Sequence, residues 1–367
     1  MSIFCQECRK GQVEPVIHYL FRTKSRMILI MVFPLLFLTL SSCQTQKVAV
    51  DHEQLSREER IVIRFSHIVG EKTPKGMAAR KFASLVKEKS NGFVEVQVFP
   101  NGYLYKDGEE IEALLRGDIQ MIAPATAKIS SSVPELQVLD LPFAFQDTDE
   151  VHDYLEGDVG DELLKGLERE GFYPLGMWEN GFKQMTNISK PLVQPEDFRG
   201  LRFRIMPSEI IRQQFLELKA ELQTNSFNEV YQLLEKNEID GQENTYSNIV
   251  SKGIHSQQKY MTVSNHGYLG YVVLLKKEFW DQLPEDVQQI LQESIREVTA
   301  WEKKMARKLN DESLKELKNC GCVEIHYLSE EEKEVWEEAL KPIYQRFTNR
   351  FGAEFIKQLP RNKGVEH

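Results

Sequence analysis

The chain lacks the usual signatures of catalysis. Its 367 residues contain no Gly-x-Ser-x-Gly elbow, no paired-histidine zinc motif and no glycine loop able to cradle phosphates. His67, His152, His255, His266 and His326 are scattered and solitary, which is how hydrogen-bonded packing histidines are usually placed. Cysteine is scarce, with five in all. Cys5 and Cys8 have the spacing of a metal or redox pair, but no second pair completes a zinc site. Cys320 and Cys322 are separated by one residue, a spacing at which a disulfide is strained, so two free thiols are expected. No metal and no cofactor is expected. Positive charge is also short, since the formal net charge is −10. An acidic chain has no electrostatic footprint for nucleic acid, and any anion site in it must be locally focused.

Long apolar runs are missing too, with one exception. Arg22, Lys24 and Arg26 precede an apolar run over 27–40, which ends in Leu40-Ser-Ser-Cys43. A positive region before about 14 apolar residues reads as a secretory signal, too short to span a bilayer comfortably. The small residues before Cys43 resemble a bacterial lipobox, in which the cysteine is lipidated and becomes the new N-terminus; an uncleaved membrane anchor is the alternative. Either way the protein is expected to be exported and tethered at the outer face of the cytoplasmic membrane or in the periplasm. Residues 1–21 lie upstream of that signal, as a start codon assigned too early would place them. Removing residues 1–43 takes the net charge from −10 to −13. Residues 44–59 are polar and aperiodic and read as a linker to the folded body.

What is present is strand–helix alternation. The run from Ile61 to Val69 suits a buried strand. Thr73-Pro-Lys-Gly opens a helix with Ala78, Phe82, Leu85 and Val86 on one face, and Val94, Val96 and Val98 alternate as a second strand. Asp107 followed by Glu110 reads as a helix start, and 119–123 as a third strand. This order predicts parallel α/β structure, in which ligands sit beyond the carboxyl ends of the strands, here near His67, Pro100-Asn101 and 124–128. An acidic amphipathic helix is expected over 151–167 and strands over 173–177 and 268–275. Ser226 and Glu229 form a capping box, and Ile239-Asp-Gly-Gln-Glu-Asn244 reads as a short strand breaking into a polar loop. From Pro284 to about Lys318 apolar residues recur every three or four positions without proline or glycine, predicting one helix about 50 Å long that braces two domains.

In Phe198-Arg-Gly-Leu-Arg-Phe-Arg-Ile-Met-Pro207, Arg202 and Arg204 alternate with apolar residues as in a strand. An arginine so held needs an anion, and its planar fork matches a carboxylate in two parallel hydrogen bonds. That anion is either a bound ligand or a structural carboxylate in a salt bridge.

The order of Thr73-Pro-Lys-Gly, Phe99-Pro-Asn-Gly, Asp140-Leu-Pro-Phe, Trp178-Glu-Asn-Gly-Phe-Lys, Gly200-Leu-Arg-Phe-Arg, Phe227-Asn-Glu-Val-Tyr and Asp240-Gly-Gln-Glu-Asn resembles the DctP-type solute receptors of TRAP (tripartite ATP-independent periplasmic) transporters. The resemblance covers about residues 60–320, and Ser264-Asn-His-Gly-Tyr-Leu-Gly-Tyr271 and Tyr246-Ser-Asn-Ile249 are most similar to the four-carbon dicarboxylate subgroup. It implies a two-lobed periplasmic-binding-protein-like α/β fold with crossing strands, the lobes being 60–181 plus 269–308 and 182–268 plus 309–360. It implies a monomeric receptor, not an enzyme, that takes succinate, fumarate or malate and delivers it to TRAP membrane subunits.

Carried over by position, Arg204 is similar to the family's carboxylate-gripping arginine, Asn244 to the amide that bonds the same carboxylate, and Phe227 to the pocket's aromatic wall. Lys183 stands where several relatives have a second arginine, although dicarboxylate receptors often show lysine. Thr245 replaces a proline common in relatives. Lys75, Lys128, Thr126 and Tyr246 are further candidates, resting on strand-end position as much as on resemblance. The other readings are a receptor for a different carboxylate, a ligand-sensing subunit of a membrane kinase, and a lipid-tethered hydrolase of small acids, for which no nucleophile–base pair is present.

Overall fold

The computed structural model describes residues 60–360; the signal, the lipobox with Cys43 and the linker lie outside the described residues. Its strands are β1 (Ile61–Ser66), β2 (Val94–Phe99), β3 (Met121–Ile122), β4 (Phe172–Phe182), β5 (Gln184–Asn187), β6 (Arg202–Ile205), β7 (Glu221–Thr224), β8 (Gly241–Asn244), β9 (Tyr260–Val263), β10 (Tyr268–Lys276) and β11 (Glu324–Tyr327). Ile61, Ile63 and Phe65 of β1 are fully buried, as are Ala78, Phe82 and Val86 of the helix Pro74–Lys89. That helix starts where the sequence says: Thr73 caps it by accepting a hydrogen bond from the Gly76 N–H at 3.1 Å, and Pro74 takes the first turn.

Two sheets result, ordered β2-β1-β3-β10-β4 and β11-β9-β5-β8-β6-β7, one for each lobe. β1 is parallel to β2 and β3, and β6 to β7 and β8, as the alternation predicts. The expectation of parallel structure does not extend to the strands that pass between the lobes. β10 runs antiparallel to β3 and β4, and β5 antiparallel to β8 and β9, so both sheets are mixed. A strand returning from the other lobe arrives without a helical crossover, and antiparallel pairing needs none. β4 also extends five residues past the expected end at Met177, to Phe182, because β10 pairs with it over that whole length. The helix expected over 151–167 is two helices, Thr148–Leu155 and Asp158–Arg169. Gly160 permits the close turn between them, since a Cβ there would lie 1.8 Å from the Leu155 carbonyl oxygen.

Three connections join the sheets: β4 to β5 through Lys183, β9 to β10 through residues 264–267, and the helix Glu285–Cys320. At 36 residues this helix is about 54 Å long. Its buried Val287, Leu291, Ile295 and Val298 belong to the main core, where the helix packs on Pro74–Lys89 and β4. Further on, Leu317 joins a second apolar cluster with Val230, Ile239 and Ile249. Asn310 ties the two ends together, since its Nδ2 donates to the Asn180 carbonyl at 2.6 Å and its Oδ1 accepts the Ser247 N–H at 3.0 Å.

The first two crossings are joined by buried charge. Lys183 Nζ lies 2.8 Å from Glu243 Oε1 of β8, and His266 Nε2 lies 2.7 Å from Glu243 Oε2. His266 Nδ1 is 2.7 Å from the Ser264 hydroxyl, so a neutral ring donates to Glu243 and accepts from Ser264. Burial lowers the His266 pKa, with Glu243 opposing. Burial alone would raise the Glu243 carboxyl, but Lys183 and the His266 hydrogen bond bring it down to about 2.

The expected free thiols at Cys320 and Cys322 are overturned, because the two form a disulfide. The helix ends at Cys320, and Gly321 adopts the left-handed conformation with φ 58°. The reversal brings the two Cα atoms to 5.1 Å, within the normal span of a bridge.

Two outcomes follow from these contacts. Both cysteines should resist alkylation in the folded protein until a reductant is added; ready labelling without reductant would contradict the bridge. Glu243→Gln leaves Lys183 buried without its counter-charge, so denaturant titration at neutral pH should show a loss of about 3–5 kcal/mol. Because the Glu243 pKa is depressed, its contribution is present above its ordinary value of 4.5 and is lost as pH falls toward 2. The stability of the variant should therefore fall less steeply over that range.

Candidate functional site: buried cations at the lobe boundary

The carboxyl ends of β1 and β3 deliver two lysines to the boundary. Lys75, in the first turn of Pro74–Lys89, is fully buried; its Nζ donates to the Ala123 carbonyl at 2.8 Å and sits 3.8 Å from the centre of the Tyr271 ring on β10. Burial brings its pKa down to about 8, against the pull of Glu110 and Asp107. Lys128 lies in the helical turn Thr126–Ile129 just after β3, and its Nζ is 2.8 Å from Asp107 Oδ2. Burial lowers the Lys128 pKa as well. Thr126 is buried at the start of the same turn.

The second lobe brings Arg204. On β6 the apolar Phe203 and Ile205 turn into the core, and Arg204 is itself 1% exposed. Its Nε donates to the Asn225 carbonyl at 3.0 Å. Nη2 lies 3.7 Å from Asp107 Oδ2, too far for a good hydrogen bond, and has no hydrogen-bond partner. An arginine pre-aimed by one bond, with a buried nitrogen left over, is arranged to take an anion. Arg204 is in register with Gln242 on β8, two residues before Asn244, so the period of two puts the Arg204 and Asn244 side chains on one face. Asn244 Oδ1 accepts from Asn248 Nδ2 at 2.8 Å and from the Thr245 N–H at 3.0 Å, which sets the amide and leaves Nδ2 as the donor for a ligand.

Phe227 and Tyr246 pack with Ile68 and Val69 of the first lobe, an apolar wall that spans the boundary. A cleft of about 300 Å³ opens beside it, lined by Asp107, Lys128, Pro207, Asn225 and Ser226. A larger cleft of about 630 Å³ lies elsewhere, but Glu150, Asp153 and Asp158 line it and repel an anion.

The structure thus gathers Lys75, Thr126 and Lys128 from one lobe and Arg204, Phe227, Asn244 and Tyr246 from the other. Lys183 stands apart in its role, since Glu243 already holds its ammonium in the crossing. Two further polar residues lie in this region. His67, at the end of β1, is buried with both ring nitrogens lacking a partner, and burial and Lys75 push its pKa down to about 3, so it is neutral. Asp107 was expected to start the next helix. That helix, Glu109–Arg116, is capped by Gly108 instead, and Glu110 turns back to accept the Gly108 N–H at 2.6 Å. Among the described residues no cluster of three or more His, Cys, Asp or Glu side chains is placed to hold a metal ion.

Comparison with known proteins gives the family. Residues 65–350 match the family model DctP, bacterial extracellular solute-binding protein, family 7. The C4-dicarboxylate-binding protein DctB of Bacillus subtilis is 45% identical over 314 residues, 86% of this chain and 90% of that protein. The C4-dicarboxylate-binding periplasmic protein DctP of Rhodobacter capsulatus is 44% identical over 299 residues, 81% of this chain and 90% of that protein. Among solved structures, a TRAP periplasmic solute-binding protein from Shewanella oneidensis with bound succinate superposes with a TM-score of 0.81 at 38% identity, covering 83% of this chain and 99% of that one. Two lobes, buried cations from each at their boundary and this degree of similarity lead to one conclusion: the chain belongs to the DctP family of bacterial extracellular solute-binding proteins, the receptors of TRAP transporters, and is a receptor, not an enzyme.

Proposed function

We propose that this receptor binds a four-carbon dicarboxylate, of the succinate, fumarate or malate type, and hands it to the membrane subunits of a TRAP transporter. The observation that carries the proposal is the charge of the site. Lys75, Lys128 and Arg204 are positive, and Asp107 is the one firmly ionised carboxylate among them, since Lys128, Arg204 and the Phe227 N–H together outweigh burial and lower its pKa. Burial and Asp107 raise the neighbouring Glu110 to about 7. Three cations against one firmly ionised carboxylate leave room for a dianion, whose binding favours the protonated form of Glu110.

One carboxylate meets Arg204 and the Asn244 amide. The other meets Lys75 and Lys128, with Thr126 beside them and Phe227 and Tyr246 as the apolar wall. Lys183 acts through Glu243 and the crossing strands rather than by direct contact. The names of the two relatives support this reading, as do the bound succinate above and the L-malate bound to a Pseudomonas aeruginosa TRAP solute-binding protein that is 37% identical to this chain. A sugar acid is the second candidate, favoured by the partnerless His67 nitrogens and by the galactonate bound to a 32% identical relative from Advenella mimigardefordensis.

The lobes are drawn at 60–181 plus 269–308 and 182–268 plus 309–360, and the protein works as a monomer. It works outside the cytoplasmic membrane, in keeping with the periplasmic relatives. Tethering through a lipidated Cys43 rests on the lipobox-like sequence alone.

Arg204→Lys keeps the charge but loses the planar fork, so succinate binding should weaken by about 2–4 kcal/mol in isothermal titration while the melting temperature without ligand stays put. Unchanged affinity would remove Arg204 from the site. A dianion also favours the charged form of Lys75 and the protonated form of Glu110, so binding takes up protons. Succinate affinity should rise about tenfold as pH falls from 8.5 to 6.5, and Lys75→Met should flatten that dependence. Affinity that rose with pH instead would count against the charge account.

A further inference from the structure

Asp107 is a fully buried carboxylate inside a site built for carboxylates. It belongs to the first lobe, where Lys128 is its ion-pair partner at 2.8 Å. The same oxygen, Oδ2, accepts the backbone N–H of Phe227 from the second lobe at 2.8 Å and faces Arg204 Nη2 at 3.7 Å. Gly108 and Glu110 have relieved it of any capping duty, so no local helix requires a carboxylate here. A second contact crosses the boundary alongside it, from Asn228 Nδ2 to the Asn101 carbonyl at 3.1 Å. Both Phe227 and Asn228 lie in the 3₁₀ turn Phe227–Glu229, whose capping box with Ser226 fixes where the Phe227 N–H points.

We propose that Asp107 is the closing residue of the receptor, a built-in carboxylate that latches the first lobe onto the Phe227 N–H of the second. It is a positioning residue. By holding Lys128 and standing beside Arg204 it brings a cation of each lobe to one point, and closure draws both onto the ligand. Opening the lobes would break the Phe227 bond while leaving the Lys128 pair, which is internal to the first lobe, intact. The latch and the ligand therefore favour the same closed arrangement, and each strengthens the other.

The inference rests on the proposed anion site, and the test separates the two. Succinate binding to wild type, Asp107→Ala and Asp107→Asn is measured by isothermal titration, with small-angle scattering for compaction and ligand-free melting as a check on folding. Asp107→Ala should weaken succinate by about 10–100-fold, the equivalent of losing a hydrogen bond to a charged group, and should reduce compaction at saturation. Asp107→Asn keeps an oxygen that accepts the Phe227 N–H and should recover part of both losses. Asp107→Ala binding as tightly as wild type, or tighter, would mean that the carboxylate competes with the ligand instead of closing the lobes. An asparagine variant no better than alanine would equally overturn the latch, and it remains informative if the alanine variant fails to fold.

Wild type that ignored every diacid would instead reject the ligand assignment. The latch is then read without ligand, from paired spin labels at Lys87→Cys and Lys236→Cys. These should report a longer or broader distance in Asp107→Ala, and an unchanged distance would overturn the latch.

Discussion

Burying positive charge is the constraint to which the rest of this molecule answers. Lys75 and Arg204 are almost fully excluded from solvent and Lys128 is nearly so, in a chain that is acidic overall. Each would be strongly destabilising alone. Each lobe holds its own cations through backbone carbonyls: Ala123 takes Lys75 and Asn225 takes Arg204. Such contacts fix direction without cancelling charge. Asp107 cancels part of the charge, pairing with Lys128 in its own lobe and facing Arg204 across the boundary. What remains is a site that is favourable when both a second anion and the facing lobe are present.

The two crossings have a different electrostatic design. Lys183, Glu243 and His266 are fully satisfied by one another, with Ser264 completing the set. A neutralised, hydrogen-bonded cluster at the point where β4, β5 and the 264–267 segment converge can hold the strands in register while the lobes swing. The helix Glu285–Cys320 runs alongside, tied to β4 at Glu302, whose carboxyl accepts the Glu179 N–H at 3.1 Å, and through Asn310 to Asn180 of β4 and to Ser247 after β8. Rigid parts lie beside the hinge and incompletely paired charge lies in the cleft, which is the distribution expected of a device that closes on an anion.

Much of this was legible in the sequence because it depends on local rules. Strand ends, the Thr73 cap, the Ser226 capping box and the unbroken periodicity of the long helix each follow from a few neighbouring residues. The places of Lys75 and Lys128 near strand ends, and of Arg204 on a strand, were legible because each follows from a few neighbouring residues. What stayed hidden depends on the partner across space. The antiparallel crossings, the pairing of Lys183 with Glu243 and the orphaned His67 ring have no signature in spacing. Asp107 was misread for a related reason, since a carboxylate three residues before a glutamate looks like a cap until Gly108 is seen in that place. Cys320 and Cys322 were misread because a single glycine in a left-handed conformation changed the separation that spacing alone implied.

The central claim is that two charges on the ligand draw two lobes together. Small-angle scattering of the same protein with saturating succinate and with saturating butyrate tests it most directly, because the two acids match in length and differ by one carboxylate. The account predicts a smaller radius of gyration with succinate and little change with butyrate. Equal compaction by both acids would contradict it, since a grip on one carboxylate would then suffice to close the receptor.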